Sequence, residues 1–211
     1  MKYAPKLTKK EIDENHRHFS ERIGLYKKLG LDFKNSREFI VKISRPLSGP
    51  MLEIGSGSGH TSLAFARAGY RFVSIDNDKK SLKTAALNLA YEELLSGVEF
   101  YIMDGKKLSF ENGSFNNVVI VDMFHHISDA ESIFSEVDRV LRAGGKAIMA
   151  DFNKEGMGII DSVHKKEGHI HEDSGVTKDL VCSYYKDLGY EIKDYDDSHH
   201  WILIAEKKVR Q

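Results

Sequence analysis

The sequence lacks most of the features that would place it outside ordinary soluble proteins. Cys182 is its one cysteine, which excludes an intrachain disulfide framework and a cysteine-based zinc site. Three prolines occur, at positions 5, 46 and 50, and none falls in the second half of the chain. No apolar run reaches 18 residues, so no membrane span is expected. The opening Met1-Lys2-Tyr3-Ala4-Pro5-Lys6 has no apolar stretch of a secretory signal, and the expected location is cytoplasmic. Lys and Arg total 31 against 32 Asp and Glu, a net charge of −1. That balance lacks the basic excess of a general nucleic-acid binder, so nucleic acid is not an expected partner.

What is present is a regular alternation. A charged helix is expected over residues 8–30, with Ile12, Phe19, Ile23 and Leu29 too sparse for a deep core element. A short helix over 35–43 follows, and Pro46 and Pro50 lead into the first core strand. Apolar runs predict strands at 51–54, 71–75, 98–103, 117–122 and 146–150. Helices are expected at 60–68, 81–95 and from 130 to a stop at Gly144-Gly145. Strands alternating with helices imply a parallel sheet covered on both faces, an α/β domain. The rhythm breaks over 151–176, read as an inserted lid-like segment. A helix at 177–188 and two antiparallel strands near 190–195 and 201–205 complete the chain. The expected organisation is an N-terminal helical cap, 1–48, and a second domain over 49–211.

The chemistry concentrates at strand ends. Glu53-Ile54-Gly55-Ser56-Gly57-Ser58-Gly59 joins the first core strand to a helix, and its glycines allow a tight turn and close backbone approach to a ligand. The dinucleotide fingerprint needs glycine where His60 stands, and the Gly-Lys-Ser/Thr ending of a phosphate-binding loop is absent. A carboxylate two residues before the first glycine repels phosphates and suits a cationic group such as an α-ammonium. Asp76, about 20 residues beyond the glycines, stands where an acid accepts ribose hydroxyls. Asp78 reads as a helix cap. Asp104, after the third strand, either accepts from an adenine amino group or is simply a turn aspartate.

With Phe115-Asn116-Asn117-Val118-Val119 and Leu141-Arg142-Ala143-Gly144-Gly145, these motifs resemble the class I S-adenosylmethionine (SAM)-dependent methyltransferases, especially the ubiquinone and menaquinone biosynthesis C-methyltransferases. The resemblance covers residues 51–150. Proline usual at Ala143 and aspartate usual at Asn116 or Asn117 are absent, and neither change touches the implied cofactor contacts. It implies a Rossmann-like three-layer sandwich with a mostly parallel seven-stranded sheet, its last strand antiparallel. It also implies SAM as cofactor, held by Glu53, Gly55, Ser56, Gly57, Gly59, Asp76, Asn77, Met103, Asp104, Gly105, Asp122 and Met123. The expected activity is methyl transfer to an O, N, C or S atom of a small-molecule acceptor. Alternatives are a SAM- or S-adenosylhomocysteine-binding protein without transferase activity, or a methyltransferase acting on RNA or protein. The chain is expected to be a monomer or a homodimer.

Ten histidines are many for 211 residues. His125 and His126 follow the fourth core strand, next to the implied methyl position, and are candidates for acid–base catalysis with Asp151. The bland reading is that they only shape a pocket. No metal site is expected, although His164, His169 and His171 have spacing that a metal could use.

Overall fold

Short polar side chains at helix starts set the first boundaries. The computed structural model describes residues 1–166 and 175–209. Contacts group them in two units, residues 1–45 with 50–108, and residues 46–49 with 109 onward.

In the first unit, β1 (Lys2–Tyr3) precedes α1 (Lys9–Lys28). A reciprocal capping box starts α1: Thr8 Oγ1 accepts from the Glu11 amide, and the Glu11 carboxylate accepts from the Thr8 amide. Asp32 caps α2 (Phe33–Ser44), which leads to β2 (Met51–Ile54), α3 (His60–Arg67) and β3 (Phe72–Asp76). Asp78 caps α4 (Lys79–Tyr91) through the amides of Lys80 and Ser81, as its position predicts, and β4 (Val98–Ile102) closes the unit. Strand order is β1-β4-β3-β2. The β2–β3 and β3–β4 pairs are parallel, with Ile54 opposite Ile75 and Asp76 opposite Ile102. Glu53, Asp76 and Met103 therefore gather at one edge, the carboxyl ends of the strands. Two-residue β1 runs antiparallel to β4, and no pattern in the sequence announces so short a strand.

The N-terminal helix packs by polar contacts, as its sparse apolar residues imply; only Tyr26 of α1 is buried. Glu11 pairs with Lys83 of α4 at 2.6 Å, and Asn15 donates to Asn88 at 2.7 Å. His16 stacks on the half-exposed Tyr91, and His60 lies between the rings of Phe19 and Phe33.

The second unit contains β5 (Phe115–Val121), α5 (Ala130–Val140), β6 (Leu141–Phe152), α6 (Lys154–Lys166), α7 (Lys178–Asp187), β7 (Glu191–Asp196) and β8 (His200–Glu206). Strand order is β5-β6-β8-β7. The β5–β6 pair is parallel, and β8 is antiparallel to both β6 and β7. Val118, Val119 and Ile120 are all buried, as a strand covered on both faces requires. Eight strands are thus described, four in each unit, where seven were expected; the additional one is β1.

One expectation fails here. Gly144-Gly145 does not stop α5, which ends at Val140 because Leu141 turns to extended backbone and pairs with Phe115. The two glycines lie inside β6, where the register against β5 shifts between Phe115 and Asn117. Within the segment 151–176, residues 154–166 form α6. Asn153 caps it through the amides of Glu155 and Gly156, and Ile160 and Val163 are buried at helical spacing. Gly156 and Gly158 disguise this helix in the sequence. Gly156 is required by close approach, since a Cβ there would lie 2.2 Å from the His199 carbonyl oxygen.

Gly59 joins the loop after β2 to α3 with φ +82°, and a Cβ would come within 2.9 Å of Ala85 Cα on α4. Gly57 also has positive φ but nothing within 4 Å of its missing Cβ. Left-handed backbone costs an L-residue roughly 1–2 kcal/mol, and a core overlap a further ~1–3 kcal/mol. Gly59→Ala is therefore expected to cost ~2–5 kcal/mol of stability, against ~1–2 kcal/mol for Gly57→Ala. Urea unfolding of the two variants measures this, and equal losses would refute the close-packing account.

Candidate active site

The glycine loop is shaped by one carboxylate. Gly55, Gly57 and Gly59 all have positive φ, at 86°, 47° and 82°. The amides of Gly55 and Ser56 donate to the Ile75 carbonyl of β3, which holds the loop's entry against the neighbouring strand. Asp76 Oδ2 then accepts from the Gly57 amide at 3.0 Å and from Ser56 Oγ at 3.3 Å, while Oδ1 accepts from the Asp78 amide. Its carbonyl accepts from the Met103 amide, tying the end of β4 to the same point. On the far side, buried Asn88 of α4 donates to the Ser58 carbonyl at 2.8 Å and accepts from Asn15. Asn88 belongs to none of the motifs read from the sequence. The available signal was a lone amide inside the apolar run from Ala85 to Leu89.

Glu53 is buried beneath the loop. Its Oε2 accepts from Ser62 Oγ of α3 and from Ser74 Oγ of β3, each at 2.5 Å, while Oε1 has no hydrogen-bond partner among the described residues. Burial pushes its pKa from 4.5 up to about 7, with the two hydroxyls opposing and nearby Asp76 adding to the rise. An unpaired buried carboxyl oxygen is costly and fits a donor such as an ammonium group or a water. Asn77 is exposed between Asp76 and Asp78, and Met103 and Gly105 are partly exposed after β4. Exposed Asp104 accepts from the Lys106 amide at 2.9 Å, the bond of a turn aspartate. The first unit thus ties the glycine loop and Ser56 to the end of β3 through Asp76 and the Ile75 carbonyl, while Glu53, buried at the end of β2, is bonded separately to Ser62 and Ser74.

In the second unit Asp122 follows β5 in left-handed backbone, φ 54°, and its amide donates to the Ala150 carbonyl. Met123 leads into a single 3₁₀ turn, Phe124–His126. Asp151, buried near the end of β6, grips this turn twice: Oδ2 accepts from the His125 amide at 2.9 Å, and Oδ1 lies 2.7 Å from His125 Nδ1. Burial alone would depress the imidazole, but the bond to Asp151 and the charges of Asp151, Asp122 and Asp161 together hold its pKa above 6.5. With Nδ1–H donating to Asp151, Nε2 carries the lone pair of the neutral ring and is the nitrogen that takes up a proton. His126 is exposed, with its ring 3.9 Å from that of His125.

His164 lies near the end of α6, and His169 and His171 lie outside the described residues. No group of three or more metal-ligating side chains occurs among the described residues. No helix there is long and apolar enough to cross a membrane.

A parallel βαβ core with a glycine turn after its first strand and an acid ending the next defines a Rossmann-like α/β fold, and solved structures share that fold. The crystal structure of YcgJ from Bacillus subtilis matches with a TM-score of 0.65 at 16% identity, over 83% of this chain and 99% of that one. Phosphoethanolamine N-methyltransferase 2 of Haemonchus contortus, solved with phosphomonomethylethanolamine and S-adenosylhomocysteine, matches at 0.62 and 20% identity, over 83% and 53%. Residues 52–149 match the family described as Methyltransferase domain. Residues 52–149 are thus similar to the methyltransferase domain, and the chain shares its fold with these solved structures.

In sequence, the chain is 26% identical over 153 residues to the uncharacterized methyltransferase YcgJ of Bacillus subtilis, covering 72% of this chain and 60% of the relative. It is 26% identical over 134 residues to the ubiquinone/menaquinone biosynthesis C-methyltransferase UbiE of Desulfotalea psychrophila, covering 63% and 53%. The chain thus spans between half and three-fifths of the length of these relatives.

The buried Glu53 gives a pH-dependent stability of definite sign. Its pKa is raised in the folded chain, so the folded state holds a proton that the unfolded state releases between pH 4.5 and about 7. The stabilisation is full below pH 4.5 and falls by on the order of 3 kcal/mol once the pH has risen past 7. Denaturant unfolding across this window should show that decline in the unliganded protein and a shallower one in Glu53→Gln. Parallel slopes for the two proteins would rule the account out.

Proposed function

We propose that the protein is a SAM-dependent methyltransferase acting on a small-molecule acceptor. The observation that carries this reading is the loop of three left-handed glycines bonded to Asp76 above a buried, half-satisfied Glu53. Asp76 supplies acceptors for a ribose diol at the end of β3, and Glu53 Oε1 supplies one for the α-ammonium group, directly or through water. Gly55, Ser56, Gly57, Gly59 and Asn77 form the turn around the cofactor, with Met103, Asp104 and Gly105 beside its adenine. When bound, SAM supplies the electrophilic methyl group on a sulfonium, and transfer is an in-line displacement in which alignment supplies much of the acceleration.

His125, oriented by Asp151, is the acid–base residue we assign to the acceptor; His126 lines the same turn. The pair suits an acceptor whose O–H, N–H or C–H proton must leave as the methyl arrives. The resemblance to quinone-pathway methyltransferases and the near-zero net charge both favour a small molecule over RNA. The N-terminal segment 1–48 is assigned as a helical cap, in keeping with the polar docking of α1 on α4.

Calorimetric titration with SAM tests the cofactor assignment. Asp76→Ala is expected to weaken binding by about 30-fold, the loss of two hydrogen bonds to a charged acceptor at roughly 1 kcal/mol each. Absence of heat with the wild-type protein would sink the reading. A mass-shift screen for methylated products in metabolite extract then identifies the acceptor, and SAM binding without any product would favour a binding protein instead.

The turnover itself should rise with pH. His125 acts as a base only when neutral, and its pKa lies above 6.5, so kcat is expected to climb with a midpoint above that value. His125→Gln should abolish the limb, and an unchanged profile would exclude the imidazole as the base.

A further inference from the structure

His200 opens β8 and is completely buried, yet both of its ring nitrogens face carboxylates. Nδ1 lies 3.1 Å from Asp197 Oδ1, in the turn between β7 and β8. Nε2 lies 3.3 Å from Asp122 Oδ1, close enough for an ion pair though not aligned as a hydrogen bond. Asp197 is fixed independently, since the same oxygen accepts from the amides of His199 and His200 at 2.7 Å. A neutral imidazole carries one N–H and presents a lone pair at the other nitrogen, which a carboxylate oxygen would repel. Two carboxylates on opposite sides of a dry ring are matched only by the doubly protonated form.

Asp122 is also one of two non-glycine residues with positive φ among the described residues, the other being Glu93 in a surface turn. Left-handed backbone costs an aspartate little, but it persists where the surroundings hold it. Here β6 holds the backbone, through Asp122 N to Ala150 O, and His200 holds the side chain. The left-handed residue is what sends the chain out of β5 into the turn bearing His125. A stack of rings runs behind it: Phe152 lies 4.7 Å from His200 and 5.4 Å from His125.

We propose that His200 is a positioning residue, a buried imidazolium clamped between Asp122 and Asp197 that sets the left-handed turn and through it the orientation of His125. The titratable groups around it are Asp122 after β5, Asp197 before β8, and the His125–Asp151 pair beyond the Phe152 ring. The clamp deepens the acceptor-side role given to His125 and rests on that reading only for its catalytic consequence. Loss of the second proton removes the attraction for Asp122, so the turn loosens as His200 becomes neutral.

Nitrogen-15 NMR of the histidine rings in the full chain tests this directly. Both His200 ring nitrogens should show protonated shifts at neutral pH in the wild-type protein. Asp122→Asn, which keeps a residue tolerant of positive φ, should let His200 lose its second proton within the neutral range. His200→Phe, which can still stack on Phe152, should displace the amide signals of Met123–His126 and move the His125 titration midpoint. A neutral His200 ring in the wild type overturns the proposal, as does a Phe variant whose His125 midpoint and turn signals match the wild type. If the Phe variant does not fold, the Asp122→Asn spectrum decides, and an unaltered His200 ring there refutes the clamp. SAM titration of the same samples separates the readings, because a wild type that binds no SAM while His200 is doubly protonated sinks the cofactor assignment and leaves the clamp standing.

Discussion

The carboxylate of Asp76 is the point from which the first unit's binding surface is built. One oxygen takes the Gly57 amide and the Ser56 hydroxyl, the other takes the Asp78 amide, and the residue's carbonyl takes the Met103 amide. Three successive strand-end loops are thus referred to a single residue. A glycine-rich turn has the largest conformational entropy to lose on folding. Charge-assisted bonds to one fixed acceptor offset part of that loss and leave the loop's shape set before any ligand arrives. Asn88 closes the opposite side by holding the Ser58 carbonyl, and the close packing of Gly59 on Ala85 fixes where α3 starts. The N-terminal helix enters the same network through Asn15, so a segment with almost no buried apolar residues still bears on the loop.

Buried acids in the two units are handled differently, and the difference follows from their partners. Glu53 meets two hydroxyls and the Ser62 backbone, with Oε1 left unmatched, and burial outweighs them and pushes its pKa up to about 7. Asp151 meets the His125 ring and amide as well as its neighbour's amide, three donors that suit a carboxylate. The first arrangement leaves one oxygen unmatched and favours the protonated acid; the second surrounds a carboxylate with donors and raises the imidazole it holds.

Much of this was legible in the sequence. Apolar runs locate β2, β3, β4 and β5 within two residues, although β6 begins five residues earlier than its apolar run, and Asp78 announces a helix start that the structure contains. The acid-x-Gly-x-Gly-x-Gly spacing and the acid at 76 point to the loop and to its partner. What stayed hidden depends on tertiary contact. Gly156 reads as a helix breaker, but it is in α6 because the His199 carbonyl leaves no room for a Cβ. Gly144-Gly145 reads as a helix stop, but Gly144 is drawn into β6 by the carbonyl of Lys207. Asp122, Asp197 and His200 are ordinary polar residues until three separate strand ends bring them together.

The same distinction explains why a shared fold leaves the acceptor open. Glu53, Asp76 and Met103 sit at consecutive strand ends of one βαβ core, where parallel register fixes their spacing whatever surrounds them. His125 has no such guarantee. Its position requires a left-handed residue after β5, a carboxylate from β6 and, through Asp122, a histidine from β8. Each of those parts can change without disturbing the sheet, because each is a side chain at a strand end rather than a residue within the ladder. A fold can therefore keep one cofactor geometry while its acceptor chemistry varies, and the variation will lie in which side chains hold the turn after β5. In this chain that turn is held by a histidine between two acids, which makes its geometry depend on a proton as well as on packing.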